Sequence, residues 1–396
     1  MLRGRPARPA SLAPFEAAVA DPTPSALLRH VLAERKPAVG YFCALAPLEL
    51  IAAVGAVPVR LDAGSAACAA LAGEAMHRDA CPMVRSAWGL LSLLRDDPEL
   101  FSALRLLVVP RACDWKAALP ESLAEEFGLE VVSLDLPRGR RSERARGAWR
   151  KQIAASAKAI ERAVGVSLTR EALRDAILQY RRASAVSRFL NAALACPKPP
   201  TWGADVLLAL SASLLMPLEE WIRAGEALAE GLRERLMRGE TVGEELPRLL
   251  LAGSPCVWPH FALPALAEEC GGLIVADESC SGSRVLYDAV HVDEASVPDM
   301  IDAVADRCLL PSICPIFSDP EDRLLRLEVL ADDFRVEGVI YHVLKSCYVY
   351  DMQFEAVREQ FGEAELPVLR LETDYGETDV EALRTRLEAF IEALAR

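Results

Sequence analysis

The feature that most limits the fold of this chain is a set of short, almost wholly apolar runs, each leading through a turn into an amphipathic stretch, found at both ends and missing from the middle. Residues 37–42, Pro-Ala-Val-Gly-Tyr-Phe, read as a strand, and residues 47–54 begin a helical pattern. Residues 57–61, 105–109 and 129–134 repeat the short run, with a helix through 122–127. Runs this short and this apolar fit strands buried on both faces of a parallel sheet. The same alternation returns at 249–252, 273–276, 339–343 and 368–371, and a last helix is expected over 380–394. Between them lies long helical periodicity, broken at Cys196-Pro-Lys-Pro-Pro and Met216-Pro, with Thr169 placed to cap a helix. The expectation is an α/β protein with two Rossmann-like open parallel-sheet domains, at 36–140 and 248–396. A helical segment at 141–247 separates them, and an N-terminal helical extension occupies 1–35.

Composition narrows the partners. The chain has 396 residues, 44 Lys plus Arg against 58 Asp plus Glu, and a net charge of −14. Without a basic stripe to displace counterions, a nucleic acid is not an expected partner. The basic stretch from Arg3 to Arg8 reads as a short solvated tail. No run is long and apolar enough for a membrane span, nor is a secretory h-region visible, so the expected compartment is the cytoplasm, with no membrane partner.

Eleven cysteines are many for a reducing compartment. Either most are small buried apolar residues, or several are metal ligands. In open α/β sheets ligands bind beyond the carboxyl ends of the strands, so position separates the two classes. Cys43, Cys113, Cys280 and Cys347 each follow a strand candidate. Cys81 precedes Pro82 at a helix start, where the positive helix end favours a thiolate, and Cys314 ends the run 309–313. Cys68 and Cys270 fall in helical patterns, Cys308 in a segment leading into a strand, and Cys196 in a Pro-rich link. Cys256, in a strand-to-helix loop, is an outsider by location. No C-x-x-C pair occurs, so any cluster must be assembled from distant segments.

At these residues the sequence resembles the D-component family of 2-hydroxyacyl-CoA dehydratases, which includes benzoyl-CoA reductase subunits and double-cubane cluster proteins. The resemblance is carried by Gly40-Tyr-Phe-Cys43 with Pro47-Leu-Glu49, Cys81-Pro-Met-Val-Arg-Ser-Ala-Trp-Gly89, and Cys113-Asp-Trp-Lys116, where Trp115 replaces the usual Gly. Glu278-Ser-Cys280-Ser-Gly-Ser-Arg284, Gly338-Val-Ile with Cys347, and the stretch from Glu372-Thr-Asp-Tyr375 to Phe390-Ile-Glu complete it. It implies an iron–sulfur enzyme, an oxidoreductase or lyase, that receives electrons from a separate ATP-hydrolysing iron–sulfur activator. It also implies assembly as a homodimer or with a paralogous second subunit, and acyl-CoA as a possible substrate. Cys43, Cys113 and Cys347 carry over as the minimal ligands of a 4Fe-4S cluster. Two cubanes sharing a bridging sulfide leave six iron corners for thiolates, and Cys43, Cys81, Cys113, Cys280, Cys314 and Cys347 would then hold an 8Fe-9S double cubane. A non-catalytic cluster carrier or scaffold is the third reading.

Of the remaining features, Glu49 is a candidate proton donor or acceptor, set against a plain helix-surface carboxylate. Gly253-Ser-Pro is a candidate phosphate turn for CoA. His260 and His342 lie near strand ends and read as structural. Asp374 and Tyr375 are expected to fix the last strand-to-helix turn.

Overall fold

The computed structural model describes residues 7–21, 23–292, 296–375 and 380–395. It is an α/β fold with two four-stranded, all-parallel sheets. The first contains β1 (Ala38–Tyr41), β2 (Val57–Arg60), β3 (Leu104–Pro110) and β4 (Val131–Leu134) in the order β2-β1-β3-β4. The second contains β5 (Arg248–Gly253), β6 (Leu273–Asp277), β7 (Gly338–Leu344) and β8 (Val368–Thr373) in the order β6-β5-β7-β8. The second order is the first repeated, so each half has one switch point, between β1 and β3 and between β5 and β7. The central strands are apolar because both their faces are covered: β5 and β7 are buried at every position.

Four helices, Glu143–Val164, Arg170–Leu194, Gly203–Ala212 and Leu218–Arg238, lie between the sheets in sequence. Ser142 and Thr169 cap the first two by accepting the N–H of Ala145 and Ala172. Gly165 and Gly239 end the first and last in the left-handed conformation. Trp149 and Trp221 are wholly buried and spend their indole N–H groups on the carbonyls of Ala305 and Ala209. One apolar core runs through these helices and both sheets.

Two sequence expectations are corrected. Residues 309–313 form no strand: the helix Val297–Leu309 carries the apolar pattern to its end, so Cys308 is helical and Cys314 lies in the loop beyond it. Arg8 is no solvated residue, because it pairs with Asp205 at 2.6 Å and with Glu16. Arg3 and Arg5 lie outside the described residues. Among the described residues no helix is long and apolar enough to cross a membrane.

Candidate functional site

The carboxyl edges of the two sheets meet, and several hydrogen bonds cross that seam. Arg60, at the end of β2, donates to the carbonyl of Cys280 at 3.0 Å, and Trp115 donates its indole N–H to the carbonyl of Ser346 at 3.3 Å. The N–H of Gly64 reaches the carbonyl of Trp258 at 3.0 Å. A Cβ at Gly64 would stand 1.9 Å from the Val257 carbonyl oxygen, so that approach requires glycine.

At the centre of the seam sits a buried charge network. Asp62 accepts the N–H of Cys43 at 2.7 Å and the Arg60 Nε at 3.2 Å, and Lys116 Nζ stands 2.8 Å from its other oxygen. All three side chains are shielded from water. Burial alone would push the Asp62 carboxyl up, but Lys116 and Arg60 outweigh it and hold the group down at about 2. Burial likewise pulls on Lys116, and the charges of Asp62, Cys43 and Cys113 raise it. Cys43 takes a left-handed φ of 65° where the chain leaves β1, and Ser346, beside Cys347, takes 61°. Non-glycine residues seldom adopt this conformation, and at both points it turns a cysteine toward the seam.

The six sequence-selected cysteines are gathered here in two sets of three. Cys43, Cys280 and Cys314 act electrostatically on one another, and so do Cys81, Cys113 and Cys347. Lys116 acts on Cys43 in the first set and on Cys113 and Cys347 in the second. Burial pushes the Cys81 and Cys314 thiols up to about 12 and raises Cys43 and Cys347. Backbone N–H groups oppose that rise: Leu45 donates to Cys43, Met83 and Val84 to Cys81, Ile316 to Cys314 and Tyr350 to Cys347. Cys81 is the N-cap of the helix Pro82–Arg95, which accounts for its two donors.

These residues fit an iron–sulfur cluster on chemical grounds: buried or half-buried thiols, N–H donors to sulfur, and cationic side chains to offset accumulated negative charge. Among the described residues no three Cys, His, Asp or Glu side chains are grouped tightly enough to hold a single ion. A cluster spreads its ligand sulfurs farther apart than one ion does. Of the other cysteines, Cys68 packs in the first-half core, and Cys308 lies near Cys43 with its thiol 3.7 Å from the Ala46 carbonyl. Cys256 contacts the His342 ring at 3.7 Å. Cys196 and Cys270 lie elsewhere, and Cys270 donates to the Arg384 carbonyl.

Glu49 is not a surface carboxylate: it is 2% exposed and ion-paired with Arg307. It also bears electrostatically on Cys308 and Tyr180. The phosphate turn at Gly253 is corrected. Its N–H is taken by Glu278 at 2.7 Å and that of Ser254 by the His342 carbonyl, while the next helix begins only at Ala262. His342 is structural. Its Nδ1 donates to the Ser254 carbonyl at 2.7 Å, which leaves Nε2 to accept from Thr373, also at 2.7 Å. Tyr375 reaches the seam, where its buried hydroxyl bears on Cys81 and Cys347 while its ring packs on His260. Sequence reasoning passed over Arg60 and Asp62, whose signal is a charged pair directly after a short apolar strand, and gave Lys116 no role.

Comparison with known proteins adds a family. The model described as 2-hydroxyglutaryl-CoA dehydratase, D-component, matches residues 43–394. The provisionally named dehydratase subunit YjiM of Escherichia coli (strain K12) is 29% identical over 90% of this chain and 91% of that protein. The (R)-phenyllactyl-CoA dehydratase beta subunit of Clostridium sporogenes is 22% identical over 93% of this chain and 94% of its own length. Among solved structures, the SBP FpvC from Pseudomonas aeruginosa in complex with Mn2+ covers 91% of this chain and 98% of its own at 12% identity, with a TM-score of 0.19.

Proposed function

Because the chain belongs to the 2-hydroxyglutaryl-CoA dehydratase, D-component, family, we propose that its two sets of three cysteines hold one double-cubane cluster used for low-potential reduction of a small molecule. What supports this reading is the partition itself: Cys43, Cys280 and Cys314 bear electrostatically on one another, Cys81, Cys113 and Cys347 do likewise, and Lys116 bears on members of both sets. Each set supplies the thiolates of one cubane. When bound, the cluster supplies electrons at low potential, fed by an ATP-hydrolysing activator that docks on a homodimer of this chain in the cytoplasm.

The residues of the chain do the rest. Lys116 and Arg60 place positive charge against the sulfurs, which eases addition of an electron. The N–H groups of Leu45, Met83, Val84, Ile316 and Tyr350 hold the sulfurs in place and act in the same direction. Glu49, fixed by Arg307 behind Tyr41 and Tyr180, is the proton donor or acceptor.

A second reading, a dehydratase subunit with one 4Fe-4S cluster on Cys43, Cys113 and Cys347, is supported by the name of the Clostridium sporogenes relative. It would leave Cys81, Cys280 and Cys314 outside the ligand set. The discriminating experiment is iron retention in single Cys→Ser variants purified without oxygen. Serine keeps the volume but binds iron poorly. Under the six-cysteine reading Cys81→Ser and Cys280→Ser lose iron as Cys113→Ser does, and Cys68→Ser and Cys196→Ser keep it. Full iron in Cys81→Ser and Cys280→Ser would transfer the assignment to the single cluster.

A further inference from the structure

Two buried donors at the seam have no partner among the described residues. The Tyr375 hydroxyl makes no hydrogen bond and is closed off from water, and the same holds for Nη2 of Arg60. Tyr375 stands just beyond the carboxyl end of β8, 3% exposed, in the same packed cluster as Cys81, Trp115, Val257 and Cys347. Its ring is fixed from one side by His260, with the ring centroids 4.9 Å apart, and His260 is hydrogen-bonded in turn to Thr373 at 3.3 Å. A phenylalanine would pack against these neighbours as well as a tyrosine does, so packing does not explain the oxygen. A buried hydroxyl without a partner is destabilising, and native interiors rarely hold one.

The two donors divide between the two sets of thiols. Arg60 places Nε on Asp62 and Nη1 on the Cys280 carbonyl, so Nη2 is left over on a guanidinium that Cys280 and Cys43 bear on. Of the charged groups that bear on Tyr375, Cys81 comes first, ahead of Cys256, Asp62 and Cys347. Asp62 is already engaged by Cys43, Arg60 and Lys116, and Cys256 lies against His342. Sulfur at the second set is the acceptor that remains. We infer that Tyr375 is a hydrogen-bond donor to a sulfur of the cluster at Cys81, Cys113 and Cys347, an inference that rests on the six-cysteine reading. A donor to sulfur favours the state carrying one more electron, so the hydroxyl makes that cluster easier to reduce.

The test is Tyr375→Phe, read in two states of the whole chain. In metal-free protein, urea unfolding should give a folding equilibrium within about twofold of the unsubstituted chain, or shifted toward the folded state, because the oxygen has no partner in the chain. In protein made with iron and purified without oxygen, a reductive titration followed by EPR should show a more negative potential. The expected shift is about tenfold in the reduction equilibrium, or about 59 mV for one electron. Loss of iron from Tyr375→Phe with unchanged metal-free stability also supports the inference, because the oxygen then matters only to the loaded protein. An unchanged potential in iron-loaded Tyr375→Phe overturns the inference and leaves the cluster reading intact. Unsubstituted protein without iron removes that reading and the inference with it. Metal-free Tyr375→Phe that unfolds about tenfold more readily, or does not fold, overturns the inference as well, since the hydroxyl would then have a partner within the chain.

Discussion

The two halves repeat one strand order, β2-β1-β3-β4 and β6-β5-β7-β8, yet they neutralise their buried charges differently. In the first half Arg60 and Lys116 share the single carboxylate of Asp62, leaving one surplus positive charge that faces the thiols. In the second half Glu278 is matched by Arg323, and His342 is a neutral ring spanning Ser254 and Thr373. Topology therefore places cysteines at both carboxyl edges, and each half sets a cation beside them: Lys116 acts on Cys43 and Cys113, and Arg284 on Cys280 and Cys314. The halves differ in how that cation is held, by the carboxylate of Asp62 in the first and by the Ser312 hydroxyl and the Glu278 carbonyl in the second.

The sharpest way to break this contrast is Asp62→Ala. It leaves two cations buried without a counter-charge and frees the N–H of Cys43, so a loss of about 3–5 kcal/mol is expected in denaturant unfolding. Hydrogen exchange should rise in the loops of both Cys43 and Cys280, because Asp62 reaches the second through Arg60. A loss under about 1 kcal/mol would mean that Asp62 is not the keystone of the seam.

Arg323→Met tests the other half. The pair it breaks is as buried, but Glu278 keeps the Gly253 N–H at 2.7 Å, so the cost should fall near the lower end, about 3 kcal/mol. Protection should be lost along β5 and β7, with the Cys43 loop unchanged. Equal damage in both halves would erase the distinction between them.

Acid should separate the halves next. Burial, the largest influence, lowers His342 to about 4 from an ordinary value of 6.5. The unfolded chain therefore takes up a proton at a higher pH than the folded one. The stabilisation is fully present above about 6.5 and is lost as pH falls towards 4, by of the order of 3 kcal/mol. Exchange in residues 338–344 should accelerate across that window and exchange in 104–110 should not. In His342→Gln the acceleration should disappear, and a slope unchanged by that substitution would assign it to another group.

Much of this arrangement is legible in the sequence, because a parallel strand buried on both faces is a short apolar run and the functional edge begins where it ends. Cys43 and Cys113 follow β1 and β3, the strands that flank the first switch point, and Cys347 follows β7 at the second. Cys81 is legible as a cap because Pro82 occupies the first helical turn. The apolar residues before Cys314 read as a strand although they end the helix Val297–Leu309, since the end of a buried helix and a strand are both apolar. Pairings across long separations leave no local trace. The partner of Glu49 is Arg307, 258 residues away, and the Gly253 turn depends on Glu278 and His342 for its shape.

The smallest expected effect concerns the departure at Trp115. Its indole N–H is one link between the Cys113 and Cys347 loops, and Trp115→Phe keeps the packing while removing that bond. A cost of about 0.5–1.5 kcal/mol is expected in unfolding, with exchange rising at Ser346 and Cys347 only. Exchange rising equally throughout the second half would show that the ring acts by packing instead.

The central claim is that both halves contribute thiolates to one double cluster. It is tested most directly by iron and acid-labile sulfide per chain in protein produced with iron and purified without oxygen. The account predicts brown protein with about eight irons and about nine sulfides per chain. About four irons would mean that only one set of ligands is used, and colourless protein with stoichiometric zinc would contradict the cluster altogether.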